Sequence, residues 1–362
     1  MRYEAFKHLV ASSLASLTFA ASAVADDGIR VSDPIVYDNL AIYFVHAVAA
    51  RSAVPLTLQE ALAKGTVKVR ETGSVNELTV ENTGADEVFV QAGDIVKGGR
   101  QDRVLSVDLL LPPRSKQVSI AAFCVESGRW TGRANEDARL FSSAASAMPS
   151  REAREVMMKN MMSSMPIAGI VPPAPSQPPA YAGADTAQNQ QMIWTSVRKT
   201  QDKLSRSVGE PVAAAASPSS LQLSLENEKL KEAQAAYMAA LGGAGEADDD
   251  IVGYVFAVNG KIDSGDVYAS NALFRKMWRK RLAANVTEAI GAKDAAGAAP
   301  PPAKDVEAFL AKASAGASAE RAINADVHIA ILDGETSAYI ETRRADGSWV
   351  HRNYLAKANL AK

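Results

Sequence analysis

From residue 35 to residue 130 the apolar positions follow the short period of strands. "IVYDNLAIYFVHA" is rich in β-branched and aromatic residues, which is strand content. "TVKVRE" alternates apolar and polar, and "NELTVEN", "DEVFVQAGD", "VLSVDLLL" and "KQVSIAAFCVE" read as further strands. The "VLSVDLLL" strand ends at Pro112-Pro113, which cannot continue a ladder. One helix interrupts the series at "TLQEALAKG". Thr57 with Glu60 three residues on forms a capping-box pattern, and Gly65 supplies the stop.

The period lengthens between residues 134 and 245. "SREAREVMMKNMMSSM" starts at Ser150, carries Glu152 in its first turn and predicts a helix. Its five methionines from Met157 to Met165 read as soft packing residues rather than a partner groove. "PIAGIVPPAPSQPPAYAG" is a proline-rich connector, expected to be mobile or extended, near 166–184. Helices are predicted at "DTAQNQQMIWTSVRKTQDKLSRSV", with Asp185 as candidate cap, and at "SLENEKLKEAQAAYMAAL". "GGAGEADDD" breaks the pattern. Strands return in "DIVGYVFAVNGKIDSGDVYA", where Asn259-Gly260 predicts a tight turn. An amphipathic helix follows Asn271, with Phe274, Trp278 and Leu282 on one face. "AAGAAPPPA" is a linker, and "DVHIAILDGETSAYIETRRADGSWVHRNYL" closes the chain as two or three strands turning at Asp346-Gly347. The expected fold is α+β: a β-rich core of largely antiparallel strands with a helical middle segment.

Composition changes this picture little. The chain has 362 residues, 47% hydrophobic and 22% charged, with a net charge of −2. No basic excess exists to neutralise phosphates, so a general nucleic-acid partner is not expected. The N-terminus changes the picture more. Arg2 and Lys7 precede the apolar "LVASSLASLTFAASA", and Ala23-Val24-Ala25 is a small-x-small cleavage signal. Residues 1–25 are therefore expected to be a secretory signal peptide. The remainder, with no later membrane span, is expected in the periplasm or outside the cell. Cys124 is then a lone cysteine in an oxidising compartment, expected to be buried or chemically employed.

Two stretches are dense in chemistry. "AGDIVKGGRQDR", Ala92 to Arg103, holds three glycines and five charged side chains. Gly93 to Gly98 has the separation that opens a P-loop, but Gly99-Arg100 stand where lysine and a hydroxyl are needed, which excludes a nucleoside-triphosphatase site. Backbone amides at Gly98 and Gly99 could cradle an anion with Lys97, Arg100, Gln101 and Arg103 beside them. In "CVESGRW" the strand ends in Glu126, a carboxylate that needs a partner when buried. Arg129, Arg103 or Arg100 could supply it. Trp130 reads as a core plug, or as a ring on which a ligand stacks.

In order along the chain, "DNLAIYFV", "LTLQEALAKGTVKVRETGSVNELTVEN", "VFVQAGDIVKGGRQDRVLSVDLLLPP", "FCVESGRW", "GYVFAVNGKIDSGDVYASNALFRKMWRKRL" and a closing "VHR" are together similar to a known family. It is the domain named for association with ADP-ribosylglycohydrolases and rhodanese-phosphatases. The resemblance covers most of residues 33–355 and implies a setting in ADP-ribose or nucleotide metabolism. The family pattern carries Lys and then Gln-Asn-Arg where this chain has Arg100-Gln101-Asp102-Arg103, so Asp102 places a charge where the pattern has an amide.

The functional expectation is an exported domain that binds a small anionic ligand. Its site is formed by Lys97, Gly98, Gly99, Arg100, Gln101, Arg103, Arg129 and Trp130, with Arg103 returning toward Glu126. The alternatives are a hydrolase-like enzyme on a nucleotide or ADP-ribose derivative, with Glu126 or Asp94 as general base or Cys124 as nucleophile, and an envelope structural or interaction protein. The histidines after the signal, His46, His328 and His351, show no metal-ligand spacing with Cys124, so no metal and no cofactor are expected.

Overall fold

The computed structural model describes residues 28–48, 53–133, 136–164, 185–293 and 298–357. The expected signal peptide and the whole of the proline-rich connector lie outside them. The helices are α1 (Leu58–Ala63), α2 (Arg151–Ser164), α3 (Thr186–Val208), α4 (Leu221–Leu225), α5 (Glu228–Leu241), α6 (Asn271–Gly291) and α7 (Ala303–Ala313). The strands form largely antiparallel sheets, and the fold is β-rich α+β as the pattern predicts.

A nine-stranded sheet joins the two ends of the chain. Its order is Arg30–Val31, Leu40–His46, Ile251–Val258, Lys261–Tyr268, Trp349–Ala356, Ser337–Arg344, Val327–Asp333 and Ala319–Ala322, with Ile35–Tyr37 paired beside Leu40–His46. Leu40–His46 and Ile251–Val258 are buried along their whole length. That accounts for their unbroken apolar runs, since both faces are covered. On one side Tyr43, Val45 and Val255 meet Val306 and Leu310 of α7. On the other, Phe44, Tyr254 and Phe256 surround Trp278 of α6. Asn259 and Gly260 take φ of +50° and +71° at the expected tight turn, the left-handed pair that such a hairpin requires.

The middle of the chain builds a six-stranded sheet. Its order is Phe141–Ala147, Asp94–Gly98, Arg103–Leu105, Val118–Cys124, Glu77–Asn82 and Val67–Glu71. A three-stranded sheet of Leu109–Leu111, Val88–Val90 and Leu56–Thr57 adjoins it. One apolar cluster joins the three sheets, from Leu78 and Phe123 through Phe89 to Phe44, Phe256 and Trp278, and a second lies between the large sheet and α7. The α1 capping box forms as expected: Glu60 N donates to Thr57 Oγ1 at 3.1 Å, and Thr57 N donates to Glu60 Oε2 at 2.8 Å.

Several elements depart from the sequence pattern. "VLSVDLLL" is two strands in two sheets, because the chain leaves one ladder at Leu105 and enters another at Leu109. "IVYDNLAIYFVHA" is a hairpin whose turn contains Asp38 at φ +53°. Asp185 precedes α3 but makes no side-chain cap bond. Helix α6 starts at Asn271 rather than after it, and Ser270 caps it by accepting from Leu273 N at 3.2 Å. Helix α7 lies just past the expected linker, where the pattern reading assigns no element. Its signal was the apolar spacing of Val306, Phe309, Leu310 and Ala313 behind Pro302.

Candidate functional site

The two dense stretches are neighbours. Strand Arg103–Leu105 pairs with strand Val118–Cys124 so that Arg103 stands opposite Cys124, and Asp102 N donates to Glu126 Oε2 at 3.2 Å. Asp102 and Glu126 are both fully buried. Arg129 grips Glu126 with Nε at 2.7 Å from Oε1 and Nη2 at 2.6 Å from Oε2. Ser217 also donates to Glu126. Arg133 grips Asp102 the same way, at 2.6 and 3.0 Å, and Ser220 Oγ donates to it at 2.9 Å. Burial pushes the Glu126 carboxyl up, but the bonds from Arg129 and Ser217 and the charge of Arg129 outweigh it and hold the group below its ordinary range.

Arg103 does not reach back to Glu126. It is fully buried, donates to Gln101 O at 3.0 Å, and meets Glu71 Oε1 at 3.4 Å. The guanidinium partner of Glu126 comes instead from three residues along the chain, where a tight bend brings Arg129 round. Lys97 pairs with Glu226 at 2.8 Å. Gln101 is buried.

The glycines serve packing. Gly98 N donates to Asp102 Oδ1 at 3.0 Å, and Gly99 N to Leu140 O at 3.1 Å. Both amides are therefore taken. A Cβ on Gly99 would lie 2.2 Å from the Phe141 ring. Trp130 is not a core plug: it is 40% exposed, with the guanidinium carbons of Arg100 and Arg103 at 5.4 and 5.6 Å from its ring centroid. Arg100 itself is exposed. Cys124 is buried, with Sγ 3.6 Å from Val75 O, and burial pushes its thiol up to about 12. A thiol so held is not the thiolate that a nucleophile requires.

Asp94 belongs to a different cluster. It is buried against Lys280 Nζ at 2.9 Å and Arg281 Nη2 at 3.2 Å, both from α6. Gly93, at φ +90°, makes this possible, because a Cβ there would stand 3.2 Å from Arg281 Nη1.

Arg281 borders a cavity of about 50 Å³ that sequence reasoning missed. Its polar wall includes Gln91, Ser106, Asp108, Asp266, Asn285 and His351. Met157, Met158 and Met161 of α2 close its apolar side. His351 is 1% exposed and lies between two carboxylates, with Nδ1 2.6 Å from Asp108 Oδ2 and Nε2 3.0 Å from Asp266 Oδ1. Burial draws its pKa down, but the two aspartates overcome it and raise the imidazole to about 9. Asp108 also accepts from Ala92 N at 2.8 Å and Thr342 Oγ1 at 2.7 Å. Asp266 accepts from Asn353 Nδ2 at 2.7 Å and from the Tyr254 hydroxyl. Gln91 Oε1 accepts from the Tyr268 hydroxyl at 2.8 Å. Four residues of the lining carry a buried side-chain atom with no hydrogen-bond partner among the described residues: Ser106 Oγ, Arg281 Nε, Asn285 Oδ1 and, at the rim, Arg154 Nε. The signals for this site were Ser106 and Asp108 interrupting an apolar run, and His351 in the closing "VHR".

For a metal, His46, Asp248 and Asp250 offer ligand atoms within 4.8 Å of one another. His46 Nδ1 is already 2.8 Å from Asp250, which Arg30 also approaches at 3.5 Å. With exposed carboxylates and a competing guanidinium, this group reads as an ion-pair cluster.

Among the described residues no helix is long and apolar enough to cross a membrane. No curated protein and no solved structure matches the chain. The model of the ARG and Rhodanese-Phosphatase-superfamily-associated Protein domain matches residues 28–355, from the first edge strand to the last strand of the nine-stranded sheet. The chain belongs to that family.

Proposed function

We propose that residues 28–355 form a binding domain for a small polar organic molecule, received in the cavity beside His351. The observation that carries this reading is that Ser106 Oγ, Arg281 Nε and Asn285 Oδ1 of its lining, with Arg154 Nε at the rim, are buried and have no partner among the described residues. Buried polar groups nearly always have partners, and leaving one without costs about 1–3 kcal/mol. A guest that meets them recovers that cost. A cavity with a few convergent polar groups and strongly shifted titratable neighbours is the usual form of a small-molecule site.

The cluster around Glu126 and Asp102 supports an anion site less well. Arg129, Arg133 and Lys97 are each engaged by a carboxylate, and the glycine amides are bonded to protein. A hydrolase with Glu126 or Asp94 as base also fits less well, since Glu126 is gripped by Arg129 and held below its ordinary range, and Asp94 is buried in contact with Lys280 and Arg281. The cavity's size argues against a nucleotide. A water occupies at least about 10–15 Å³ of such volume, so 50 Å³ admits about four groups of that size. The family description names an association and assigns no ligand. Export from the signal at residues 1–25 remains part of the proposal.

A thermal-shift screen of small polar molecules tests the reading. Binding in the cavity predicts hits that raise the melting temperature of wild type and not of Asn285→Leu, which removes the acceptor at similar volume. Hits that stabilise both proteins equally, and lose their effect in Arg100→Ala, would return the site to the loop.

A further inference from the structure

We infer that the molecule held beside His351 is uncharged and carries one hydrogen-bond acceptor and one donor, as an amide or hydroxy-carbonyl compound does. This inference rests on the binding reading above.

The first ground is the charge balance around the cavity. Three cations, Lys280, Arg281 and His351, face three carboxylates, Asp94, Asp108 and Asp266. At the rim Arg154 faces Asp263 at 2.8 Å. Each charge already has its counter-charge in contact, so a charged guest would enter a buried site with none left for it. Burying an ion unpaired is far more costly than burying a hydrogen-bonded neutral group. The raised imidazole keeps His351 on the cationic side of this balance at neutral pH.

The second ground is what the open atoms can do. Arg281 donates to Ala92 O through Nη1 and to Asp94 through Nη2, while its Nε, like that of Arg154, has no partner among the described residues and offers its N–H to a guest acceptor. Asn285 donates its amide to Arg281 O at 2.9 Å, which leaves Oδ1 for a guest donor. The Ser106 hydroxyl serves either role. Two guanidinium N–H groups, one oxygen acceptor and one hydroxyl match a carbonyl oxygen, which has two lone pairs, with an adjacent N–H or O–H. A carboxylate offers acceptors only and would leave Asn285 Oδ1 facing a lone pair. An ammonium offers donors only and would leave Arg281 Nε–H unmet. The methionines of α2 give the guest's apolar end soft contacts that adjust to shape.

Acetamide, acetate and methylammonium are the probes, since all fit within about four water-sized groups and differ in charge and hydrogen-bond pattern. Ligand-observed NMR titration of the full chain should show acetamide binding in the millimolar range or tighter. Acetate and methylammonium should bind at least tenfold more weakly. Asn285→Leu and Ser106→Ala should each weaken acetamide several-fold with the fold intact by circular dichroism. Acetate or methylammonium binding as tightly as acetamide, and lost in Asn285→Leu, would overturn the neutral class while leaving the site in place. No binding by any probe, with ordered water alone in soaked crystals, would overturn both the class and the binding reading.

Discussion

At the scale of single residues, the same chemistry has two outcomes here. Glu126 is a carboxylate whose every need is met within the protein, and removing its charge should be felt as stability. Glu126→Gln breaks the bidentate pair between the fully buried Glu126 and the partly buried Arg129 and should cost on the order of 3–5 kcal/mol, read from urea midpoints. A loss below about 1 kcal/mol would show that the pair is not closed in solution. His351 makes a different prediction. Its pKa is 6.5 when unfolded and about 9 when folded, so the folded state binds the proton more tightly. The stabilisation is complete below pH 6.5 and disappears as pH climbs through 9. At 1.36 kcal/mol for each tenfold change in proton affinity, the loss is on the order of 3 kcal/mol. Urea titrations at pH 6, 7.5 and 9.5 should show that decline in wild type and not in His351→Gln. A flat profile in wild type would mean that the imidazole is not held between Asp108 and Asp266. The residue types in both clusters were visible in the sequence, but their partners were not. Glu126 called for a guanidinium, yet nothing in the order of the chain separated Arg129 from Arg103. His351 was one member of a "VHR" triplet until the sheet placed it beside Asp108, 243 positions earlier.

At the scale of elements, periodicity was legible wherever one face of a strand or helix meets solvent, and misleading where both are covered. Glu77–Asn82 alternates as half-buried strands do, and the capping box marks the start of α1. "VLSVDLLL" is buried throughout, so its apolar run held no period to show that the chain changes sheets inside it. Ser106 and Asp108 were the mark of the break, since polar side chains buried in such a run need a polar destination. The glycine loop carries its own lesson. Gly98 and Gly99 suggested an anion cradle, but the hairpin uses them to pass Leu140 and Phe141. Gly99→Ala should therefore destabilise by roughly 1–3 kcal/mol through overpacking and the strained φ of +56°. Phe141→Leu should recover part of the steric share in the double variant. Unchanged stability in Gly99→Ala would remove the packing account of that glycine.

At the scale of the whole molecule, the nine-stranded sheet takes strands from both ends of the family region and α6 from between them. The cavity lies where these meet the loop after Gln91. Asp108 comes from the break between the two smaller sheets, Arg281 and Asn285 from α6, and Asp266 and His351 from the large sheet. No local stretch contains the site, which is why a reading of motifs settled on the loop and "CVESGRW" instead. The proposed export belongs to this scale too: if the chain is secreted, its intact mass should place the N-terminus at Asp26, and a secreted product that keeps residues 1–25 would refute the cleavage site.

The ligand site proposed for this protein is the cavity and not the charged loop. The most direct measurement is a crystal structure of the chain soaked in acetamide. The account predicts density for the amide beside His351, with its oxygen within hydrogen-bond reach of Arg281 Nε and its nitrogen of Asn285 Oδ1. Acetamide seated instead on the exposed face of Trp130 and Arg100, with only ordered water beside His351, would contradict it.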